Sequence, residues 1–191
     1  MILVNALELS HEHAMRAVKP GDTAVDATAG KGRDTLFLSN LTGPGGKVYA
    51  FDVQQEAIDR TRSLLERNGG RGNVFLINEG HETMERHVEA GVSCVMFNLG
   101  YLPGSNREVQ TSGPTTIKAI EASMRLLRKD GIITIVIYHG GCTGYVERDM
   151  VIGFCGSIDP RDFDVMKSAY MNQGNDPPIF VCIEKKVDKT G

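Results

Sequence analysis

Residues 23–35, Thr23-Ala-Val-Asp-Ala-Thr-Ala-Gly-Lys-Gly-Arg-Asp-Thr35, set the frame for the rest of this chain. Two apolar residues (Ala24, Val25) lead into an acid, Asp26. A Gly-x-Gly turn (Gly30, Gly32) follows, and then a helical start. The next apolar run, Lys47-Val-Tyr-Ala-Phe51, ends on a second acid, Asp52, 22 positions after Gly30. Glycines let the backbone turn sharply and let a ligand lie close against it. A carboxylate roughly 20 residues further on can accept hydrogen bonds from both hydroxyls of a ribose. Together these features describe a nucleoside-binding β-α-β unit. The plainer alternative is a structural turn of an α/β protein, with Asp52 capping its strand.

The residues around the turn narrow the nucleoside. A dinucleotide site favours a third glycine for close helix packing and sets a pyrophosphate on the helix N-terminus. Here the third position is Thr35, and Asp34 puts negative charge where the pyrophosphate would lie. Asp26, just before the turn, instead suits a ligand with an ammonium group. S-adenosylmethionine carries an ammonium, a ribose and an adenine, and no phosphate. Its candidate binding residues are Asp26, Ala27, Thr28, Gly30, Lys31, Gly32, Asp34 and Thr35, followed by Asp52, Val53 and Gln54 at the next strand end.

Working outward, apolar strand-like runs alternate with helix-period segments, the pattern of a largely parallel sheet covered on both faces. The spacing predicts strands at 23–27, 47–52, 73–77, 92–98 and 131–138. Helices are predicted at 9–18, 33–41, 54–68, 82–89, 115–128 and 144–157. Two further strands, 163–170 and 179–185, are joined through Asn172-Gln-Gly-Asn-Asp-Pro-Pro178, with no room for a crossover helix, so they should pair antiparallel. Five parallel strands closed by such a hairpin give the seven-stranded methyltransferase sheet: an α/β, Rossmann-like fold, mostly parallel with an antiparallel last strand, and helices on both faces.

At 191 residues, 41% hydrophobic and 24% charged, the chain reads as one globular domain over 1–191. No apolar stretch is long enough to cross a bilayer, and Ser10-His-Glu-His13 interrupts any secretory core. The four cysteines show no Cys-x-x-Cys spacing, so reduced thiols in a cytoplasmic protein are expected, with neither zinc nor disulfides. The formal charge of −3 gives no global attraction to nucleic acid, although a local basic surface suffices for one. Candidates for that surface are Arg107, Lys118, Arg125, Arg128, Lys129, Arg148, Arg161 and Lys167.

A second constellation lies at the end of the fourth strand, Phe97-Asn-Leu-Gly-Tyr-Leu-Pro-Gly104. Ligands in open α/β sheets sit outside the carboxyl ends of the strands, so Asn98 faces the same crevice as Gly30 and Asp52. The Asn98 carbonyl and the Leu99 backbone can accept N–H groups and aim an amine nitrogen at a methyl group, and Tyr101 can stack on a base. The alternative is that Asn98 caps a turn and Tyr101 packs. Gly80 and His81, after the third strand, border the adenine in this reading, or else serve only to cap a helix.

These motifs, with Thr115-Thr116, Tyr138, Asn172-Gln173 and Pro177-Pro178, resemble a bacterial family labelled as rRNA methylases. Its characterised members look like tRNA 5-aminomethyl-2-thiouridine methyltransferases (the MnmM type). The resemblance runs over nearly the whole chain. It implies a class I methyltransferase using S-adenosylmethionine, a homodimer, and an acceptor at the modified wobble uridine in the anticodon region of tRNA. The rRNA label reflects fold-level similarity. This chain departs from the family at Lys31 and Arg33, where Asn and His are usual, and at Tyr138-His139-Gly140-Gly141. Two other classes of function share the same cofactor residues: a small-molecule amine or catechol methyltransferase, and a non-catalytic nucleoside- or RNA-binding module.

Overall fold

The computed structural model describes residues 2–69, 72–100, 112–139 and 141–187. Seven strands form one sheet: β1 (Thr23–Asp26), β2 (Lys47–Phe51), β3 (Val74–Ile77), β4 (Val92–Leu99), β5 (Leu127–Ile137), β6 (Phe163–Ser168) and β7 (Ile179–Lys185). Their spatial order is β3-β2-β1-β4-β5-β7-β6. The pairings β3–β2–β1–β4–β5 are all parallel. Strand β7 inserts antiparallel between β5 and β6, as the helix-free connection before it requires. The chain order reverses at β1 and β4, so the crevice for a ligand opens over their carboxyl ends.

Alternation along the central strands feeds two cores. Val25, Val95, Phe97, Ile133 and Ile135 pack one face with α4 (Gly113–Leu126) and α5 (Gly141–Gly156). Ala24, Cys94, Met96, Val136 and Phe180 pack the other with α1 (Ala6–Ala17) and α2 (Arg33–Thr42). Helix α3 (Gln55–Arg67) buries Ala57, Ile58, Thr61 and Leu65, the stripe that its spacing predicts. Cys94, Cys155 and Cys182 are buried free thiols, and burial pushes the last two up to about 12, which keeps them protonated. Among the described residues no helix is long and apolar enough to cross a membrane, and no group of side chains is arranged to hold a metal.

Several element bounds shift by two or three residues from the sequence expectation, as where α5 starts at Gly141 rather than 144, and three differences have a readable cause. Helix α1 starts at Ala6 rather than residue 9, because Asn5 and Glu8 close a capping box: the Asn5 side chain accepts from the Glu8 N–H, and Glu8 accepts from the Asn5 N–H. The segment expected as a helix over 82–89 is a 3₁₀ turn, His81–Arg86, anchored by buried Met84 and closed by i to i+3 bonds from Thr83 and His87. Strand β5 begins at Leu127, four residues early. A register shift between Val92 and Cys94 and the left-handed Asp130 (φ 58°) let the backbone stay extended through a segment with turn composition.

Candidate active site

The site is built from four strand ends. After β1 the backbone passes through left-handed Gly30 (φ 52°) and Gly32 (φ 77°), and Gly32 opens α2. A Cβ on Gly32 would stand 2.9 Å from the Thr61 Cα, so both conformation and space require glycine there. The Gly30 N–H donates to Asp52 (2.9 Å), and the other Asp52 oxygen accepts from the Gln54 N–H (2.9 Å). Asp52 thereby ties the tip of β2 to the glycine turn and keeps lone pairs at the crevice rim. Val53 beside it is 57% exposed, an apolar patch next to a carboxylate.

Asp26 lies fully enclosed, accepting from the Thr35 hydroxyl (2.6 Å) and the Thr28 N–H (3.1 Å). Burial, reinforced by the nearby charges of Asp34 and Asp52, pushes its carboxyl up to about 7 against those hydrogen bonds. Fully enclosed and about half protonated at neutral pH, Asp26 offers a ligand only part of a negative charge and no direct contact.

Asp34, almost fully buried, stands between two donors: His11 Nε2 at 2.7 Å and Asn98 Nδ2 at 2.5 Å. The Asn98 backbone N–H donates to the Thr28 hydroxyl (2.8 Å). Asn98 is thus held by side chain and backbone to the elements that carry the glycine turn. Gly100 (φ 140°) follows, and Tyr138, 44% exposed, packs beside it with its N–H on the Leu99 carbonyl (2.9 Å). Burial, with Asp34 adding, raises the Tyr138 phenol, so it stays neutral. Tyr101 and Arg107 lie outside the described residues.

Gly80 caps the 3₁₀ turn, and His81 is buried with Nδ1 on the Ala27 carbonyl (3.1 Å) and its ring edge-on to Phe97. A carbonyl only accepts, so Nδ1 carries the proton, and burial holds the ring below the ordinary imidazole range and neutral. Lys31 and Arg33 are exposed on the glycine turn. Several other basic candidates are paired with acids: Arg125 with Glu85, Arg128 with Asp22, Arg148 with Asp149 and Arg161 with Asp159. Thr116 is buried and donates to Glu147 (2.8 Å), bracing α4 against α5.

The structure therefore brings Asp26, Thr28, Gly30, Gly32, Asp34, Thr35, Asp52 and Asn98 together around the glycine turn at the strand tips, with Asp26 and Thr35 fully buried beneath it. His11 is the member that the sequence analysis missed. Its motif, Ser10-His-Glu-His13, carries a signal only as polar residues inside an amphipathic helix.

The Asp34 and Asp52 carboxylates, with partly protonated Asp26 behind them, favour a cationic ligand over a phosphorylated one, and the Asp52 oxygens beside exposed Val53 suit a ribose next to a flat apolar ring. The sheet order and this rim define a class I S-adenosylmethionine-dependent methyltransferase. The family described as "Putative rRNA methylase" matches residues 48–184, and the chain belongs to it. It is 35% identical over 191 residues to the chloroplastic tRNA (mnm(5)s(2)U34)-methyltransferase of Arabidopsis thaliana, covering 95% of this chain and 70% of that protein. The crystal structure of an rRNA-methylase homologue from Clostridium thermocellum superposes with TM-score 0.95 at 44% identity, covering 97% of this chain and 100% of that one. A methyltransferase structure from Streptococcus mutans in complex with SAH superposes with TM-score 0.89 at 39% identity, covering 96% and 99%.

Proposed function

We propose that this methyltransferase acts on tRNA and N-methylates the 5-aminomethyl group of the wobble 2-thiouridine. The observation that carries the reading is the doubly held Asn98 at the tip of β4, beside the glycine turn. The Asp34 carboxylate can only accept, so the Asn98 NH₂ must face it, and the amide carbonyl is turned the other way. A fixed carbonyl acceptor is what an amine needs to present its lone pair along one direction. The likeness to a tRNA mnm(5)s(2)U34 methyltransferase supports the same acceptor.

S-adenosylmethionine, when bound, supplies a methyl group already activated by positive sulfur. The chain's part is to hold and orient. Asp52 accepts the ribose hydroxyls, while Val53, Gln54, Gly80 and His81 border the adenosine. Gly30 and Gly32 permit close approach, with Ala27, Thr28, Lys31 and Thr35 shaping the loop. Asp26 and Asp34 provide the field for the ammonium. Asn98 and the Leu99 backbone direct the acceptor amine, and Tyr101 stacks on its base. The amine arrives protonated and sheds its proton to solvent or a nearby acceptor before attack. A homodimer, a cytoplasmic location and a single domain over the whole chain belong to this proposal and rest on the sequence reading alone.

Mass spectrometry of wobble nucleosides from cells lacking this protein tests the reading. Accumulation of unmethylated 5-aminomethyl-2-thiouridine is expected. An unchanged nucleoside profile refutes the tRNA acceptor and favours a small amine instead.

A further inference from the structure

Asp34 does not reach Asn98 alone. Its other oxygen accepts from His11 Nε2, which comes from α1 and is separated from Asn98 by 87 positions of sequence (98 against 11). The His11 ring is set from two sides: it stacks on Phe37 of α2 with centroids 4.1 Å apart and planes 16° apart, and it donates to Asp34 at 2.7 Å. Helix α1 is itself fixed by its capping box and by a buried bond from Ser10 to Thr134 of β5 (2.8 Å). The result is a continuous chain, α1 to α2 to β4, ending on the amide that faces the acceptor.

We propose that His11 is a positioning residue for methyl transfer, holding Asp34 so that the Asn98 carbonyl stays turned towards the acceptor amine. The inference rests on the reading of Asn98 given above. A carboxylate with donors on both oxygens has one orientation. With only Asn98 as donor it can rotate about its last bond or turn towards the Gly-x-Gly turn, and the amide is then free to swing. An amide flip while His11 is in place would set the Asn98 carbonyl against a carboxylate oxygen, two acceptors facing each other. His11 thus acts through Asp34, without touching donor or acceptor.

Two substitutions separate the hydrogen bond from the packing. His11→Phe keeps the stack on Phe37 and removes the donor, whereas His11→Gln places an amide N–H close to where Nε2 stands. With tRNA carrying the unmethylated nucleoside, His11→Phe is expected to lower kcat by about ten- to a hundredfold, with donor Kd and KM for tRNA within about twofold. His11→Gln should recover most of that loss. In an Asn98→Ala background His11→Phe should cost nothing further, since the two act as one unit. Should His11→Phe fail to fold, His11→Met, which removes the donor and keeps a soft apolar side chain against Phe37, should show the same split between kcat and KM.

NMR of isotope-labelled asparagine gives a readout independent of activity. The Asn98 side-chain amide should be slow to exchange with solvent in the wild type and in His11→Gln, and fast in His11→Phe. Unchanged kcat or unchanged exchange in His11→Phe, failure of Gln to rescue, or multiplicative losses in the double variant each overturn the inference. A wild type that methylates no tRNA but shows the exchange pattern refutes the acceptor and leaves the positioning role standing.

Discussion

Removing the charge of Asp26 while keeping its shape should change how stability depends on pH. Asp26 is fully enclosed at the tip of β1, and its carboxyl is raised from 3.8 to about 7, first by burial and then by Asp34 and Asp52. A raised folded value means that the folded chain prefers the protonated acid. That contribution is complete below the ordinary value near 4 and is lost as pH climbs through about 7. Between those limits the folded state holds one more proton, so stability falls by about 1.4 kcal/mol per pH unit, to a total of at most about 4 kcal/mol. Asp26→Asn cannot ionise. Its carbonyl accepts from the Thr28 N–H, and the Thr35 hydroxyl can reverse to accept from its NH₂. Urea denaturation of both chains from pH 5 to pH 8, without ligand, should show the difference in ΔG moving by about 3 kcal/mol in favour of Asp26→Asn. A difference that stays constant across that range refutes the reasoning.

The other predictions follow from the same geometry. Asp52→Ala should weaken donor binding at least about tenfold in calorimetry by removing charged hydrogen bonds, whereas Asn98→Ala should spare donor affinity and lower methyl transfer by about a hundredfold. Gly32→Ala should cost about 2–4 kcal/mol in denaturation, since φ is 77° and the added Cβ meets the Thr61 backbone at 2.9 Å. Lys31→Glu with Arg33→Glu should raise KM for tRNA. The pair should also flatten the salt dependence of binding by about 0.7 for each phosphate no longer neutralised, measured by filter binding at several ionic strengths.

The sheet is legible in the sequence because its signals are local. Alternation marks the strands, the missing crossover marks the β6–β7 hairpin, and Gly30, Gly32 and Asp52 meet at the strand tips where their spacing places them. The 3₁₀ turn at His81–Arg86 reads as a helix because six residues with one apolar anchor look alike in either form. The early start of α1 is readable in Asn5 and Glu8, a capping pair three residues apart. His11 is not readable. Its importance comes from Asp34 and Phe37, which fold-level packing brings to it from 23 and 26 positions away (34 and 37 against 11). Asp26 is bonded by near neighbours, Thr28 and Thr35, two and nine positions on, but nothing in that spacing tells that its carboxyl is fully enclosed.

The measurement closest to the central claim uses purified protein, methyl-labelled S-adenosylmethionine and tRNA isolated from cells that lack the protein. After digestion, the label should reside in 5-methylaminomethyl-2-thiouridine from the wobble position, and Asn98→Ala should slow its appearance by about a hundredfold. Label appearing in another nucleoside, or in free amines while tRNA stays unlabelled, contradicts the account.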